Sequence, residues 1–133
     1  MISLFDTNVL IAAFITDGLC AGILRRARNG EFKLILGITV LEKFRRVLKS
    51  KFMFSDEEIS LFSSILEEAA TVFRASGSVA GVCRDPEDDV ILACTAEAGV
   101  NYLVTGDKDL LAIGQYGKIK ILTPREFEIL FGD

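Results

Sequence analysis

The sequence predicts an α/β fold in which helices cover both faces of a central parallel sheet. Short apolar segments alternate along the chain with longer segments whose apolar residues recur at helical spacing. The short segments are apolar throughout, which is typical of strands buried on both faces of a parallel sheet. In such folds the functional side chains lie at the carboxyl ends of the strands.

In chain order, the first predicted strand is residues 1–5 (MISLF), which leads into a helix over residues 8–14. Asp17 is placed to cap a second helix, because aspartate is favoured just before a helix N-terminus, and Gly30 is placed to end that helix. A second short apolar strand follows at residues 33–36 (KLIL).

Two longer helices are predicted next. The first begins at Thr39 and has apolar residues at helical spacing, namely Val40, Leu41, Phe44, Val47 and Leu48. The second covers residues 55–73, and Ser55 followed by three acidic residues suits a helix N-terminus. Residues 71–82 have no clear period and are interpreted as a short strand and a loop.

The last third of the chain continues the alternation. Asp85 and Pro86 open a helix that Gly99 ends. The remaining predicted elements are two strands and a closing helix, at residues 101–106 (NYLVTG), 118–122 (KIKIL) and 123–132 (TPREFEILFG).

Composition narrows the classes of function. We expect one domain over residues 1–133. No apolar run approaches the roughly 20 residues that cross a bilayer and no signal-type pattern begins the chain, so we expect a cytoplasmic protein. The three scattered cysteines suit a reducing compartment and core packing: Cys20, Cys83 and Cys94. Histidine is absent, so any chemistry must use carboxylates, hydroxyls or thiols.

The net charge of −4 conceals a basic segment. Nine of the 15 basic residues lie between Arg25 and Lys51, with only two acidic residues, Glu31 and Glu42. The acidic balance of the whole chain argues against general nucleic-acid binding, although it allows a local basic face. An ordinary solvated helix surface is the structural alternative.

Acidic side chains follow the predicted strands at the edge where function is expected. Asp6 ends the first strand, and Glu42 lies in the first turn of the helix after the second strand. Asp107 and Asp109 follow the strand NYLVTG. A further acidic group opens the helix before that strand: Asp85, Asp88 and Asp89. Grouped carboxylates need a compensating cation, and oxygen-only ligands favour Mg²⁺ or Mn²⁺.

Several of these acids also have a purely structural interpretation. Asp6 is placed to cap the helix that follows it. Glu42 fits a capping box with Thr39 and is spaced to form ion pairs with Arg45 and Arg46. Both interpretations stay open at this level.

The acids of the last third differ among themselves. Asp85 suits a helix cap, and the Gly106-Asp107 pair suits an ordinary turn. Asp89 instead shares a helical stripe with apolar residues, namely Leu92, Ala93 and Ala96. A buried carboxylate with no basic residue on its stripe needs a partner, which favours a functional role for Asp89.

Taken together, these motifs resemble the PIN domain family. They are the strand followed by Asp6-Thr7-Asn8, Glu42 on a helix, DPEDD (85–89) followed by VILACTA, and LVTGDKDL (103–110). The resemblance runs from Ile2 to the segment ILTPREF and is closest to the prokaryotic PIN proteins that are toxin components of toxin–antitoxin pairs (VapC-like). No single motif is specific, but their order and spacing are.

The resemblance implies a Rossmann-like three-layer α/β/α sandwich and a metal-dependent ribonuclease. The acidic quartet of the family matches Asp6, Glu42, Asp89 and Asp107, and Asp109 matches a further metal-binding acid of some members. The supporting polar residues match Thr7, Asn8 and Thr105. Asp85 or Asp88 could take the place of Asp89.

The implied chemistry uses one or two Mg²⁺ or Mn²⁺ ions to activate water for attack on an RNA phosphodiester. The basic segment supplies candidate phosphate-binding residues, namely Arg25, Arg26, Arg28, Arg45, Arg46 and Lys49. An antitoxin protein is a further expected partner by resemblance. The apolar helices over residues 17–29 and 55–73 offer surfaces for a homodimer.

Two alternatives compete with the ribonuclease. One is a phosphatase or phosphotransfer domain with Asp6 as nucleophile, although position 8 is Asn where such enzymes resemble Asp-x-Asp. The other is a PIN-like module that binds RNA or protein without catalysis. The presence of all four acids favours an active enzyme.

Overall fold

The computed structural model describes residues 1–75 and 84–132. Its strands are β1 (Ile2–Phe5), β2 (Lys33–Gly37), β3 (Ala70–Phe73), β4 (Tyr102–Val104), β5 (Gln115–Tyr116) and β6 (Ile119–Leu122). Its helices are α1 (Thr7–Ile15), α2 (Leu19–Arg28), α3 (Ile38–Ser50), α4 (Asp56–Ala69), α5 (Pro86–Ala98), α6 (Lys108–Ile113) and α7 (Pro124–Ile129). Of the short strand and loop predicted over residues 71–82, residues 76–82 lie outside the described residues, as does Cys83.

The strands form one sheet in the order β3-β2-β1-β4-β6-β5. All neighbouring pairs are parallel except β5 and β6, which pair antiparallel at one edge. The chain builds outward from β1 in one direction through β2 and β3, and then returns to the other side of β1 as β4. In parallel sheets such a reversal opens a crevice at the carboxyl ends of the two strands, here β1 and β4.

The core lies between the sheet and the helices that flank it. Leu4, Leu36 and Leu103 are completely buried in three adjacent strands. Phe127 from α7 packs edge-on against the Phe5 ring, with ring centroids 5.8 Å apart. This arrangement confirms the predicted α/β fold with a mostly parallel sheet.

Several predicted helix boundaries are confirmed by their caps. Ser55 and Glu58 form a reciprocal capping box at the start of α4. Asp85 caps α5, with Pro86 at its first position. Gly99 ends α5 in the left-handed conformation, at φ 67°.

Two predicted caps are wrong. Gly18, not Asp17, precedes α2, and the Asp17 carboxylate lies 3.6 Å from the Arg25 guanidinium. Helix α3 begins at Ile38 after Gly37, one residue before the predicted cap, and has no side-chain cap. A Cβ atom at Gly37 would lie 3.1 Å from Cys94 Sγ, so this turn passes close to α5 and favours glycine.

The structure differs from the prediction at two further places, the end of α4 and the segment after β4, where Asp107 caps helix α6. Helix α4 ends at Ala69, because residues 70–73 pair in parallel with β2 as strand β3. Their β-branched Thr71 and Val72 suit a strand. Helix α6 and the short strand β5 were not predicted.

Among the described residues, no single helix is both long and apolar enough to cross a membrane. The pair Thr7–Ile15 and Leu19–Arg28 reaches that length and apolarity only when taken together, and the two helices are bent by 100° relative to each other.

Ser3 gives a test of the core of β1. Its side chain is completely buried, and Ser3 Oγ has no hydrogen-bond partner within the part of the chain that the structure describes. Since a buried hydroxyl without a partner is costly, Ser3→Ala should raise the free energy of unfolding by about 1 kcal/mol. Urea denaturation measures this change.

Ser63→Ala is the matched control, because buried Ser63 Oγ accepts a hydrogen bond of 3.1 Å from Arg45 Nε. Its loss should lower the free energy of unfolding by about 1 kcal/mol. Equal destabilisation by both substitutions would contradict the analysis of Ser3.

Candidate metal centre at the carboxyl edge of the sheet

The register between β1 and β4 brings Asp6 and Thr105 together. Phe5 pairs with Val104, and the next residue on each strand is Asp6 and Thr105 respectively. The Asp6 amide donates to the Val104 carbonyl at 3.0 Å, which extends the pairing past the end of β1. The Thr105 hydroxyl then donates to Asp6 Oδ2 at 2.7 Å. The contact is therefore a consequence of strand register.

Asp6 combines a structural and an electrostatic role. Its side chain is buried and caps α1, with Oδ1 accepting the Thr7 amide at 2.7 Å. Burial raises its pKa, and the charge of Asp107 adds to that increase, whereas the bonds from Thr105 and Thr7 oppose it. Capping and a site role are compatible, because each carboxylate oxygen has a second lone pair.

Thr105 connects Asp6 to the second acid of the edge. While its hydroxyl donates to Asp6, it accepts the Asp107 amide at 3.0 Å. Asp107 in turn caps α6, and its Oδ1 accepts the amides of Asp109 and Leu110. The two acids spaced by one residue are therefore a helix cap and a first-turn residue of the same short helix.

Three carboxylates converge beside this connection. Asp88, Asp107 and Asp109 each offer an oxygen, and these oxygens all lie within 4.8 Å of one another. Burial raises the pKa of Asp88 from 3.8 to about 6, and the charges of Asp107, Asp85 and Asp6 add to the increase. A group of carboxylates without nitrogen or sulfur donors is the donor set of a hard divalent cation. The residues therefore fit Mg²⁺ or Mn²⁺.

The group contains Asp88 rather than Asp89, which was the preferred sequence candidate. Successive helical side chains point about 100° apart, so the two face different directions. In the apolar stripe that favoured Asp89, Leu92 and Ala93 are buried and Ala96 is exposed, and Asp88 is buried as well. Asp89 is buried and has interactions of its own, and its role as a metal ligand stays a prediction.

Glu42 lies on α3, exposed, in a cleft beside Thr7. Both structural alternatives for Glu42 are wrong: α3 has no capping box, and Arg45 pairs with Glu67 at 2.9 Å. Within residues 1–75 and 84–132 the Glu42 carboxylate has no hydrogen bond or ion pair. It is not part of the group formed by the three aspartates. Among the supporting residues, Thr7 is buried and Asn8 is exposed.

Lys43 is a component of the site that sequence reasoning missed. Its ammonium donates to Glu87 Oε2 at 2.6 Å, which joins α3 to α5. Its positive charge lowers the pKa of both Asp6 and Asp88. Glu87 is 44 positions further along the chain, so no local pattern signals this pair.

Most of the predicted RNA-binding cations are engaged elsewhere. Arg26 bonds to Glu31 and Glu128 and stacks over the Phe131 ring. Four others lie in ion pairs or on the exposed end of α2: Arg25 with Asp17, Arg45 with Glu67, Lys49 with Asp56, and Arg28. Arg46 differs, because it lines the cleft that contains Glu42 and Lys43.

The two cysteines that the structure describes, Cys20 and Cys94, lie outside the group of three aspartates. Cys94 is buried in α5, and burial together with the charge of Glu97 raises its pKa to about 11. Cys20 is partly buried, and burial raises its pKa as well. Both thiols are therefore protonated at neutral pH, which suits packing residues.

An α/β fold with a mostly parallel sheet and a cluster of carboxylates at the carboxyl edge of that sheet defines a class of proteins suited to divalent-cation chemistry. Comparison with protein-family models assigns the member of that class: the model described as PIN domain matches residues 3–109. The chain belongs to the PIN domain family.

Comparison with solved structures gives the same fold. A chain of the crystal structure of VapBC2 from Rickettsia felis bound to a DNA fragment from their promoter superposes with a TM-score of 0.65 at 17% sequence identity. The match covers 92% of this chain and 98% of that chain. A search of curated proteins finds no match.

The raised pKa of Asp88 predicts that the carboxylate cluster lowers the stability of the folded protein in a pH-dependent way. The folded state holds the proton up to about pH 6, whereas the unfolded chain loses it near 3.8. The contribution of Asp88 to stability is therefore full below pH 3.8 and is lost as the pH rises towards 6. Without divalent cations, Asp88→Asn should raise the melting temperature at neutral pH, and this gain should disappear in acid.

Thermal unfolding between acid and neutral pH measures this difference. Asp17→Asn is the control, because the Asp17 side chain is 94% exposed and should give no pH-dependent gain. A neutral-pH melting temperature of Asp88→Asn at or below that of the parent would contradict the crowding of carboxylates.

Proposed function

We propose that this protein is a metal-dependent ribonuclease that cleaves RNA phosphodiesters at the carboxylate cluster. The observation that carries this proposal is the convergence of Asp88, Asp107 and Asp109, from two separate segments of the chain, within 4.8 Å. Membership of the PIN domain family supports nuclease chemistry over the phosphotransfer alternative. We further propose that residues 1–133 act as a single domain.

The proposed ligands of the ion are Asp88, Asp107 and Asp109. A divalent cation held there would act as a Lewis acid towards a water molecule and a phosphoryl oxygen. The chain contains no histidine that could share this role. Asp6 orients the Thr105 hydroxyl, and that hydroxyl holds the amide of Asp107 in place. Glu42, on the wall of the neighbouring cleft, is proposed as an acid that joins the site when substrate and metal are bound.

We also propose that the protein is the toxin component of a toxin–antitoxin pair in the cytoplasm. The fold likeness to a chain of the VapBC2 structure supports this proposal. Apolar side chains exposed on α2 and α4 offer a surface for an antitoxin or for a second copy, namely Leu19 at 36% and Leu61 at 60%.

Cleavage of RNA tests the enzymatic proposal. The parent protein with Mn²⁺ should cut single-stranded RNA, and Asp88→Asn and Asp107→Asn should each slow cleavage by more than about a hundredfold, because each removes a proposed ligand. Asp89→Asn decides between the two neighbouring candidates. A larger effect at Asp88 than at Asp89 is expected in a gel-based assay.

Titration calorimetry with Mn²⁺ gives an independent measurement, since Asp88→Asn should weaken metal binding whether or not the right RNA is found. Asp17→Asn, remote and exposed, should match the parent in both assays. Full cleavage by Asp88→Asn together with unchanged Mn²⁺ binding would refute this cluster as the active site.

Expression in cells tests the toxin proposal. The parent protein should arrest growth, Asp107→Asn should not, and co-expression of the adjacent reading frame should restore growth and yield a complex on purification. Equal growth with the parent and with Asp107→Asn would overturn the toxin proposal and leave the ribonuclease assay unaffected.

A further inference from the structure

A second concave surface adjoins the carboxylate cluster. It is a cleft of about 230 Å³ between α1, α3 and α5. Thr7 lines it and directly follows Asp6, whereas Glu87 lines it on the other side and directly precedes Asp88. Anything bound in this cleft therefore lies against residues that directly adjoin Asp6 and the proposed metal ligand Asp88.

The cleft is lined by two cations and by the carboxylates of Glu42 and Glu87, and both cations lie on α3. Lys43 and Arg46 are three residues apart on α3 and line the same space. Arg46 has no ion pair with any residue that the structure describes, in contrast to Arg45 and Lys49, which pair with acids of α4. A cation that lies in a cleft without a carboxylate partner is free to bind an anion from solution.

Lys43 already holds an anion in the cleft. Its ammonium lies 2.6 Å from Glu87 Oε2, and the two side chains are 40% and 54% exposed. Exposed ion pairs contribute little to stability, so a phosphate oxygen can replace the Glu87 carboxylate at little cost. The exposed Val90 side chain on the same cleft offers an apolar surface to a ribose.

We propose that this cleft is the subsite for an RNA phosphate adjacent to the scissile phosphodiester, with Lys43 and Arg46 as the phosphate-binding residues and Glu87 as the anion that the phosphate displaces. The inference rests on the proposed ribonuclease function and adds the position of a neighbouring phosphate, on the face of α3 that Lys43 and Arg46 share.

The experiment measures binding of a fluorescent single-stranded RNA by anisotropy, in EDTA so that the RNA is not cut, over a series of salt concentrations. Lys43→Gln and Arg46→Gln should each weaken binding about five- to tenfold and reduce the salt slope by about 0.7. Lys43→Arg should retain binding. Glu87→Gln should strengthen it, because a competing carboxylate is removed.

Lys33→Gln is the matched control, since it removes the same charge from an exposed position at the start of β2, at the opposite edge of the sheet. It should bind as the parent does. Strengthened binding by Glu87→Gln would show that the cleft variants fold, and the unchanged binding of Lys33→Gln distinguishes a phosphate site from a general loss of positive charge.

The outcomes separate the two proposals. If the parent binds RNA and both Lys43→Gln and Arg46→Gln bind equally well, the subsite is overturned, and cleavage with Mn²⁺ still decides the ribonuclease. If Lys33→Gln weakens binding as much as Lys43→Gln, the subsite is also overturned. If the parent neither binds nor cleaves RNA, both proposals fail.

Discussion

The hydrogen bond from Thr105 to Asp6 is the interaction on which the candidate site depends. It joins the ends of β1 and β4, which are 99 positions apart in sequence, and it is 2.7 Å long in a buried position. Because the same hydroxyl accepts the Asp107 amide, one side chain sets the positions of two acids. A shift in the register of β1 and β4 would turn these side chains away from each other. The pairing of the two central strands therefore determines both the core and the site.

The site is electrostatically unfavourable without a cation. Asp6 and Asp88 are buried, and each has a raised pKa that burial causes first and neighbouring acids increase. Lys43 offsets part of this cost through its charge, and it is itself held by Glu87. If natural selection acted on stability alone, neutral residues would be expected in place of these acids. Their presence at the carboxyl edge is an argument for function that does not depend on any comparison.

The fold and the edge acids could be predicted because they follow from local pattern. Short apolar runs identify β1, β2, β4 and β6, and residues directly after a parallel strand lie at its carboxyl edge. This reasoning found Asp6, Asp107 and Asp109 from their sequence positions, whereas Thr105 was identified only through the family resemblance. It also explains why α6 was missed, since its six residues are too few for a helical period.

The remaining parts of the site depend on contacts that local pattern does not contain. Whether Asp88 or Asp89 faces Asp107 and Asp109 depends on the rotation of α5 about its own axis. Packing sets that rotation. The capping box at Glu42 failed because α3 begins at Ile38, with Gly37 rather than Thr39 at its cap position. The prediction of RNA-binding residues from the basic segment was too broad for a related reason. Most cations of the segment are paired with acids elsewhere in the chain, as Arg26 is with Glu128.

Helix α3 shows how those long-range pairs divide one charged segment into two functions. Arg45 and Lys49 bond to Glu67 and Asp56 and thereby attach α3 to α4. Lys43 and Arg46 line the cleft instead. The ion pairs to α4 fix the position of α3, and Glu42 lines the cleft together with the two cations that those pairs do not use. The charge count of residues 25–51 therefore overstates the basic surface available to RNA, and the few cations beside the acids matter more than the total.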